Sequence, residues 1–134
     1  MDSLKVNEAD YALVLKAVEA VLPEEACGLL LGKDGLVERV VVVENELHSP
    51  VTFRMAPQEQ LDAILLAEKE SLDITGIFHS HPAGPGHPSC TDIANFFYPG
   101  SATVILFPGP QGWKCRAFMI EAGSFHEIPL IITS

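Results

Sequence analysis

Near the amino terminus, apolar side chains recur every three or four residues: Tyr11, Leu15, Val18 and Leu22. This spacing predicts an amphipathic helix over residues 8–22, with these side chains on its buried face. Asn7 is a residue type that caps helix amino termini, and Pro23 cannot continue a helix, so the two residues mark its ends.

Two apolar runs come next, separated by Lys33-Asp34-Gly35. Asp-Gly is a strong signal for a tight turn between antiparallel strands, so these runs are predicted to form a β-hairpin. The β-branched run Val40–Val43 favours a strand that is buried on both faces. Val51–Met55 is predicted as one more short strand.

A second helix is predicted over residues 57–72, because Pro57 suits the first helical turn. Its expected buried side chains are Leu61, Ile64, Leu65 and Leu72. Residues 73–81 are then predicted as a strand and residues 90–98 as a short helix. Three further strands are predicted in the segments ATVILFPG, WKCRAFMIE and FHEIPLIIT. This order predicts an α/β fold with a single domain over residues 1–134, in which helices flank a central mixed β-sheet.

Composition excludes several classes of protein. The formal net charge of −10, with only eight Lys and Arg residues, argues against a nucleic-acid partner, which needs clustered basic side chains. Three widely spaced cysteines outside any CxxC pair argue against a disulfide framework. No apolar run reaches the roughly 18 residues of a membrane span, and no signal-peptide pattern is visible. We therefore expect a soluble, cytoplasmic protein without a membrane partner.

The segment GIFHSHPAGPGHPSCTDIANFF, residues 76–97, concentrates the candidate chemistry. His79 and His81 lie two residues apart on a predicted strand, so both imidazoles point to the same face and can converge on one ion. Asp92 follows a Gly- and Pro-rich loop that can turn the chain back, and it is a candidate third ligand. Three protein ligands would leave the fourth position of a Zn²⁺ ion to water, as catalytic zinc sites require.

Other interpretations of this segment stay open on the residues alone. A His-x-His pair is often a surface or hydrogen-bonded pair, and Ser89-x-x-Asp92 also fits a helix cap. His87 and Cys90 are competing ligands, and four protein ligands would make the site structural.

A metal-activated water needs a group that accepts its proton. Glu25, in PEEACGLLLG, is the candidate general base, although nothing local distinguishes it from Glu24 or from a solvated acid in a turn. The Gly/Pro loop lacks the GxxxxGK[ST] pattern of a phosphate loop, and H-x-E with P-C-x-x-C is missing. Cys27 and Cys90 have no basic neighbour that would activate a thiol, and both are expected to be packing residues.

Taken together, EACGLLLG (residues 25–32) and HSHPAGPGHPSCTD (residues 79–92) resemble the JAMM (MPN-plus) zinc metalloprotease family. The resemblance implies a cytidine-deaminase-like JAMM/MPN fold and one zinc ion, with a bound water as its fourth ligand. It makes His79, His81 and Asp92 the zinc ligands and Glu25 the acid–base residue. Ser89 would hold the water or donate to the oxyanion.

The resemblance also implies a function. Members hydrolyse the isopeptide or peptide bond after the Gly-Gly tail of a ubiquitin-like modifier, and small forms act on sulfur-carrier proteins. This short chain leaves little room for the insertions of deubiquitinating members, which favours a minimal prokaryotic-type enzyme. The tail is expected to bind beside residues 44–55. The apolar end IPLIITS either completes the sheet or forms a homodimer contact.

Two alternatives to this function come from other classes. Some members of the family are non-catalytic scaffolds or protein-binding modules, although those usually lack part of the ligand set. A RadC-like branch has a similar His-x-His-Pro segment, and the acidic charge of this chain disfavours it.

Overall fold

The computed structural model describes all 134 residues and contains three helices and eight strands. The helices are α1 (Glu8–Ala20), α2 (Pro57–Lys69) and α3 (Cys90–Ala94). The strands are β1 (Leu4–Asn7), β2 (Cys27–Lys33), β3 (Leu36–Val43), β4 (Asp73–Ser80), β5 (Ala102–Gly109), β6 (Gly112–Glu121), β7 (Ser124–Ile128) and β8 (Leu130–Thr133). None of the helices combines the length and apolar character that crossing a bilayer requires.

All eight strands form one sheet in the order β7-β6-β5-β4-β2-β3-β1-β8. β7 and β8 lie at opposite ends of this order, although only Pro129 separates them along the chain. The sheet therefore curls until its two edges meet near Pro129.

The predicted single strand in FHEIPLIIT is wrong, because proline has no N–H with which to continue a ladder. The end of the chain completes the sheet, where β8 pairs in parallel with β1, a strand that the sequence pattern did not reveal.

The mixed sheet has a helix on each face, as predicted. On one face, α1 packs through Val14 and Val18 on a core that includes Leu30 of β2 and Phe78 of β4. On the other face, α2 packs against a core formed by β2, β3 and Ile77 of β4.

Asn7 caps α1 as predicted, because its side chain accepts a hydrogen bond from the backbone N–H of Asp10 in the first turn. All three helices end before their predicted last residues, so Leu22 lies beyond α1 and is exposed.

The buried face of α2 differs from the predicted one. Leu61 and Leu65 are 47% and 52% exposed, whereas Ala63 and Ala67 are buried against the sheet. Small alanine side chains let the helix backbone approach the sheet closely, and a pattern of large apolar residues does not detect such a face.

The hairpin is confirmed, because β2 and β3 pair in antiparallel fashion around Asp34-Gly35. Two expectations that follow it are wrong. Val42 is 53% exposed, so β3 is not buried on both faces, since one face of an antiparallel pair can contact solvent. Residues 51–55 form no strand and contribute only an isolated bridge between Asn45 and Met55.

We expect Gly28→Ala to lower the free energy of unfolding by about 1–3 kcal/mol, the usual range for overpacking a core. A Cβ atom at Gly28 would overlap the ring of fully buried Phe78 and the carbonyl oxygen of Val41. Denaturant unfolding measures the change. Gly109→Ala is the matched control, because a Cβ there meets only the flexible side chain of Lys114, at 3.0 Å. Equal losses in the two variants would contradict this packing argument.

Candidate functional site

His79, in β4, and His81, just after the end of that strand, lie side by side beneath the surface. Alternation along the strand sends Ser80 to one face and His79 and His81 to the other. Both histidines are buried, with 1% and 4% exposure, and their Nε2 atoms lie 3.1 Å apart. The strand therefore produces the convergence that the sequence predicts.

Asp92 reaches these histidines from the first turn of α3. Its Oδ2 atom lies 3.1 Å from Nε2 of His79 and 3.0 Å from Nε2 of His81. The same oxygen accepts a hydrogen bond from the backbone N–H of Ser89 at 2.9 Å, and the Ser89 hydroxyl accepts one from Asp92 N at 3.0 Å. Asp92 thus caps the helix and faces the histidines at once, so the two interpretations of Ser89-x-x-Asp92 are compatible.

The orientation of His81 makes this cluster electron-rich. Nδ1 of His81 lies 2.7 Å from the carbonyl oxygen of Pro85, which can only accept, so Nδ1 carries a proton. In the neutral ring, the Nε2 lone pair then points towards His79 and Asp92. Either a hydrogen on Nε2 of His79 or a metal ion can bridge these atoms. Their separations of 3.0–3.1 Å are close to the roughly 3.3 Å between ligand atoms of a tetrahedral ion bound at about 2.0–2.1 Å.

Glu25 lies two residues before the start of β2 and joins the cluster from there. Ala26 N donates to the Ser80 hydroxyl at 2.8 Å and the Ser80 N–H donates to Ala26 O at 3.1 Å, which aligns the two strands. Ligand atoms of Glu25, His79 and His81 lie within 4.8 Å of one another, a grouping that could hold a metal ion. Asp92 makes the closer contacts to both histidines, at 3.1 and 3.0 Å.

The structure distinguishes the two neighbouring glutamates. Glu25 is 3% exposed, and its Oε1 atom is buried without a hydrogen-bond partner. The Glu24 side chain points outward instead and pairs with Nδ1 of His48 at 3.1 Å. A buried carboxylate oxygen without a partner, beside two imidazoles, is available for chemistry.

The acids and histidines of the site have different protonation tendencies. Burial raises the pKa of Glu25 to about 7, against the lowering effect of His81. Burial acts to raise the pKa of Asp92 as well, but its hydrogen bonds to the histidines outweigh this and hold the pKa far below its ordinary value. Burial lowers the pKa of His79. Burial also acts to lower the pKa of His81, but the bonds to Asp92 and Pro85 outweigh it, and the pKa rises.

A cleft opens beside His79 and Asp92. Its volume is about 490 Å³, and its walls come from the loop of residues 47–55, from α2 and from residues 95–98. Phe53 stacks on the ring of His79, with 4.6 Å between centroids. Phe97 is 78% exposed, and the side chains of Tyr98 and Gln60 are hydrogen-bonded to each other in the wall. Phe96 and Tyr98 pack on the core, whereas Phe97 does not.

The competing ligands lie outside this cluster. His87 is exposed and stacks on Phe125, with 5.7 Å between centroids. Cys90 is also exposed, so its expected packing role is wrong. Cys27 is a packing residue as expected, since its buried thiol donates to the Val43 carbonyl oxygen at 3.3 Å, and burial raises its pKa to about 12.

Several residues of the site carried no signal in the sequence. Ser80 aligns β2 with β4, Pro85 orients His81 through its carbonyl oxygen, and Phe53 covers His79. Each acts through a contact made by tertiary folding, and none belongs to a spacing pattern.

A curled mixed sheet between helices, with a His, His and Asp cluster beside a buried glutamate, defines a metal-hydrolase type of site. The family model for prokaryotic homologs of the JAB domain (Prok-JAB) matches residues 8–121. This match covers most of the chain, and the chain belongs to that family. The predicted resemblance to a small prokaryotic JAMM/MPN member is confirmed.

Curated relatives include three named enzymes. The desampylase of Pyrococcus furiosus is 49% identical over 69 residues, which cover 52% of this chain and 49% of that protein. The chain thus spans about half the length of this relative. The "Probable TtuB-protein conjugate cleaving protease" of Thermus thermophilus is 36% identical over 82% of this chain and 70% of that protein. The CysO-cysteine peptidase of Mycobacterium tuberculosis is 31% identical over 90% of both.

Solved structures share the fold. The solution structure of a protein from Desulfitobacterium hafniense has a TM-score of 0.88 and 35% identity, over 98% of this chain and 93% of that one. A JAB1/MPN domain protein from Archaeoglobus fulgidus has a TM-score of 0.61 at 20% identity, with both chains fully covered. The predicted JAMM/MPN fold is confirmed.

We expect Glu25→Gln to stabilise chelator-treated protein at pH 8. A carboxyl group with a raised pKa favours folding below its usual pKa of 4.5 and loses that contribution as the pH rises through about 7. The gain should reach at most about 3 kcal/mol, at roughly 1.4 kcal/mol per pKa unit, and vanish near about pH 4. Denaturant unfolding at both pH values measures it. Glu24→Gln is the control, and an equal gain in that variant would contradict the burial argument.

Proposed function

We propose that this chain, as a single domain over residues 1–134, is a zinc-dependent isopeptidase or peptidase. Its substrate would be the bond after the Gly-Gly tail of a ubiquitin-like modifier or sulfur-carrier protein. The observation that carries the proposal is the triangle of His79, His81 and Asp92, closed to 3.0–3.1 Å beside the unpaired Oε1 atom of Glu25. This set is complete, which argues against a non-catalytic scaffold.

His79, His81 and Asp92 would hold the ion, because imidazole nitrogen and carboxylate oxygen are ligands that zinc prefers. A bound zinc ion supplies Lewis-acid activation of water and polarisation of the scissile carbonyl group. Pro85 keeps His81 in the tautomer that offers Nε2 to the centre, and the Ser89 N–H keeps Asp92 turned inward. These contacts orient the ligands in the way that outer-shell partners of metal sites do.

Glu25 moves the proton in this proposal. It accepts a proton from the attacking water at its carboxylate and delivers it to the leaving amine. A pKa of about 7 suits both steps near neutral pH, since the group can take up and release a proton with little driving force. The Ser89 hydroxyl already accepts from Asp92 N, and its own hydrogen is free to donate to the oxyanion.

The substrate class rests on the family and on the cleft. Relatives carry the names desampylase, probable TtuB-protein conjugate cleaving protease and CysO-cysteine peptidase. A cleft that borders His79 and Asp92 can place an extended tail against the cluster.

The proposal places the enzyme in the cytoplasm. All three cysteines are free, which suits a reducing compartment. A homodimer through the edge strand β8, where Ile131 and Ile132 are each 41% exposed, stays a prediction.

Two variants test the assignment together. We expect Glu25→Gln to keep about one zinc ion per chain and to lose cleavage of a Gly-Gly-tailed conjugate, because the ligands remain and the base is gone. Asp92→Ala should lose both zinc and activity, since one of three ligands is removed. Elemental analysis and a cleavage assay measure the two properties. Full activity of Glu25→Gln, or normal zinc in Asp92→Ala, would overturn the proposed roles.

We expect Phe97→Ala to raise KM several-fold, within the roughly 1–3 kcal/mol that a lost apolar contact is worth, and to leave the melting temperature unchanged. Phe97 is 78% exposed and lines the cleft, so its ring is available to a tail and adds little to the core. Val51→Ala is a matched control, because Val51 is 77% exposed and lies outside the cleft. An unchanged KM in Phe97→Ala would place the tail elsewhere.

A further inference from the structure

Asn45 is a buried amide enclosed by the loop of residues 44–56, which forms one wall of the cleft. It is only 6% exposed, and its Nδ2 atom donates to the carbonyl oxygens of Glu25 and Thr52, each at 3.1 Å. Its Oδ1 atom accepts from the backbone N–H groups of Leu47 and Arg54, at 3.1 and 3.2 Å. Two carbonyl groups can only accept and two N–H groups can only donate, so the chemistry fixes the orientation of the amide.

The loop closes around this side chain. Glu46 N donates to Arg54 O at 2.9 Å and Ala56 N donates to Glu44 O at 2.9 Å, so the two ends of the loop are paired. Such compact surface loops, with close ends and a side chain packed inside, often carry function. The residues of this loop that line the cleft are Leu47, Thr52, Phe53, Arg54 and Met55.

The backbone of Glu25 is bonded to this loop on both sides. Its N–H donates to Ser49 O at 2.8 Å, and its carbonyl oxygen accepts from Asn45. The Oε1 atom of Glu25 makes no hydrogen bond, so the backbone anchors do more to place the carboxylate than its own contacts do. A shift of the loop therefore moves the carboxylate relative to His79 and His81.

We propose that Asn45 is a positioning residue that joins the cleft wall to Glu25, so that a tail bound in the cleft sets the place of the proton-transferring carboxylate. The inference rests on the proposed function for the role of Glu25. The link itself consists of hydrogen bonds within the protein and can be measured without turnover.

Asn45→Asp is the sharpest test, because it keeps the shape and both acceptor contacts. It replaces the donor by a carboxylate oxygen that faces the carbonyl oxygens of Glu25 and Thr52. We expect kcat and kcat/KM to fall by about 100-fold, the cost of a small displacement at a reacting centre. Zinc affinity should stay within twofold of the wild type, since Asn45 bonds to none of the proposed ligands. Gln111→Glu, in the exposed turn before β6, controls for the added charge and should retain activity.

Amide hydrogen exchange supplies a measurement that does not depend on catalysis. In zinc-loaded Asn45→Asp, the amides of Glu25, Leu47 and Arg54 should exchange faster together, while those of β4 stay protected. Unchanged exchange and near-normal kcat would overturn the inference. A loss of zinc affinity would also overturn it, because Asn45 would then act through the ligands.

If Asn45→Asp does not fold, the wild-type protein can be used to test the link between the loop and Glu25. A peptide that ends in Gly-Gly, added in excess to the zinc-loaded protein, should protect the amides of Glu25, Leu47 and Arg54 together. Protection of the loop amides without that of Glu25 would overturn the link. If the wild type cleaves no Gly-Gly conjugate but exchange is coupled in Asn45→Asp, the proposed function fails and the structural link stands.

Discussion

The antiparallel pairing of β2 with β4 is the contact on which the candidate site depends. Cys27 lies opposite His79, and one residue further on Ala26 and Ser80 exchange two hydrogen bonds, one of them through the buried Ser80 hydroxyl. This register carries Glu25 to the end of β4, where both histidines point to the same face. A slip of one residue would turn the side chains of β4 over, so that Phe78 and Ser80 replaced the histidines at the site. The position of both histidines relative to Glu25 therefore depends on this register.

Two carboxylates with opposite properties meet at the site, and their surroundings explain the difference. Asp92 accepts from the Ser89 N–H and lies against two imidazoles, so its charged form is stabilised. Glu25 is buried with an unpaired oxygen, so its neutral form is favoured and its pKa rises to about 7. Groups whose pKa values are pushed apart in this way can divide the work between holding an ion and moving a proton. In the proposed function, Asp92 has the first task and Glu25 the second.

Much of the fold could be predicted from local patterns, and the errors have physical causes. Asn7, the Asp34-Gly35 turn and Pro57 act on adjacent backbone, so the elements that they bound were expected. The buried faces were harder, because burial depends on what packs opposite. Ala63 and Ala67 face the sheet since small side chains allow close approach, whereas the leucines that a hydrophobic pattern favours point outward. Pro129 divides the last segment into two strands at opposite edges of the sheet. Local patterns could not predict this, because it depends on the sheet curling until those edges meet.

The sequence by itself determined the set of candidate metal ligands. A strand period of two residues sends His79 and His81 to one face, and a Ser89-x-x-Asp92 cap turns Asp92 inward, since both are properties of local backbone. Only the tertiary structure decided between Glu25 and Glu24, excluded His87 and Cys90 from the cluster and folded one wall of the cleft around Asn45. Those outcomes depend on burial and on contacts between residues far apart in the chain, and neither is a function of spacing along it.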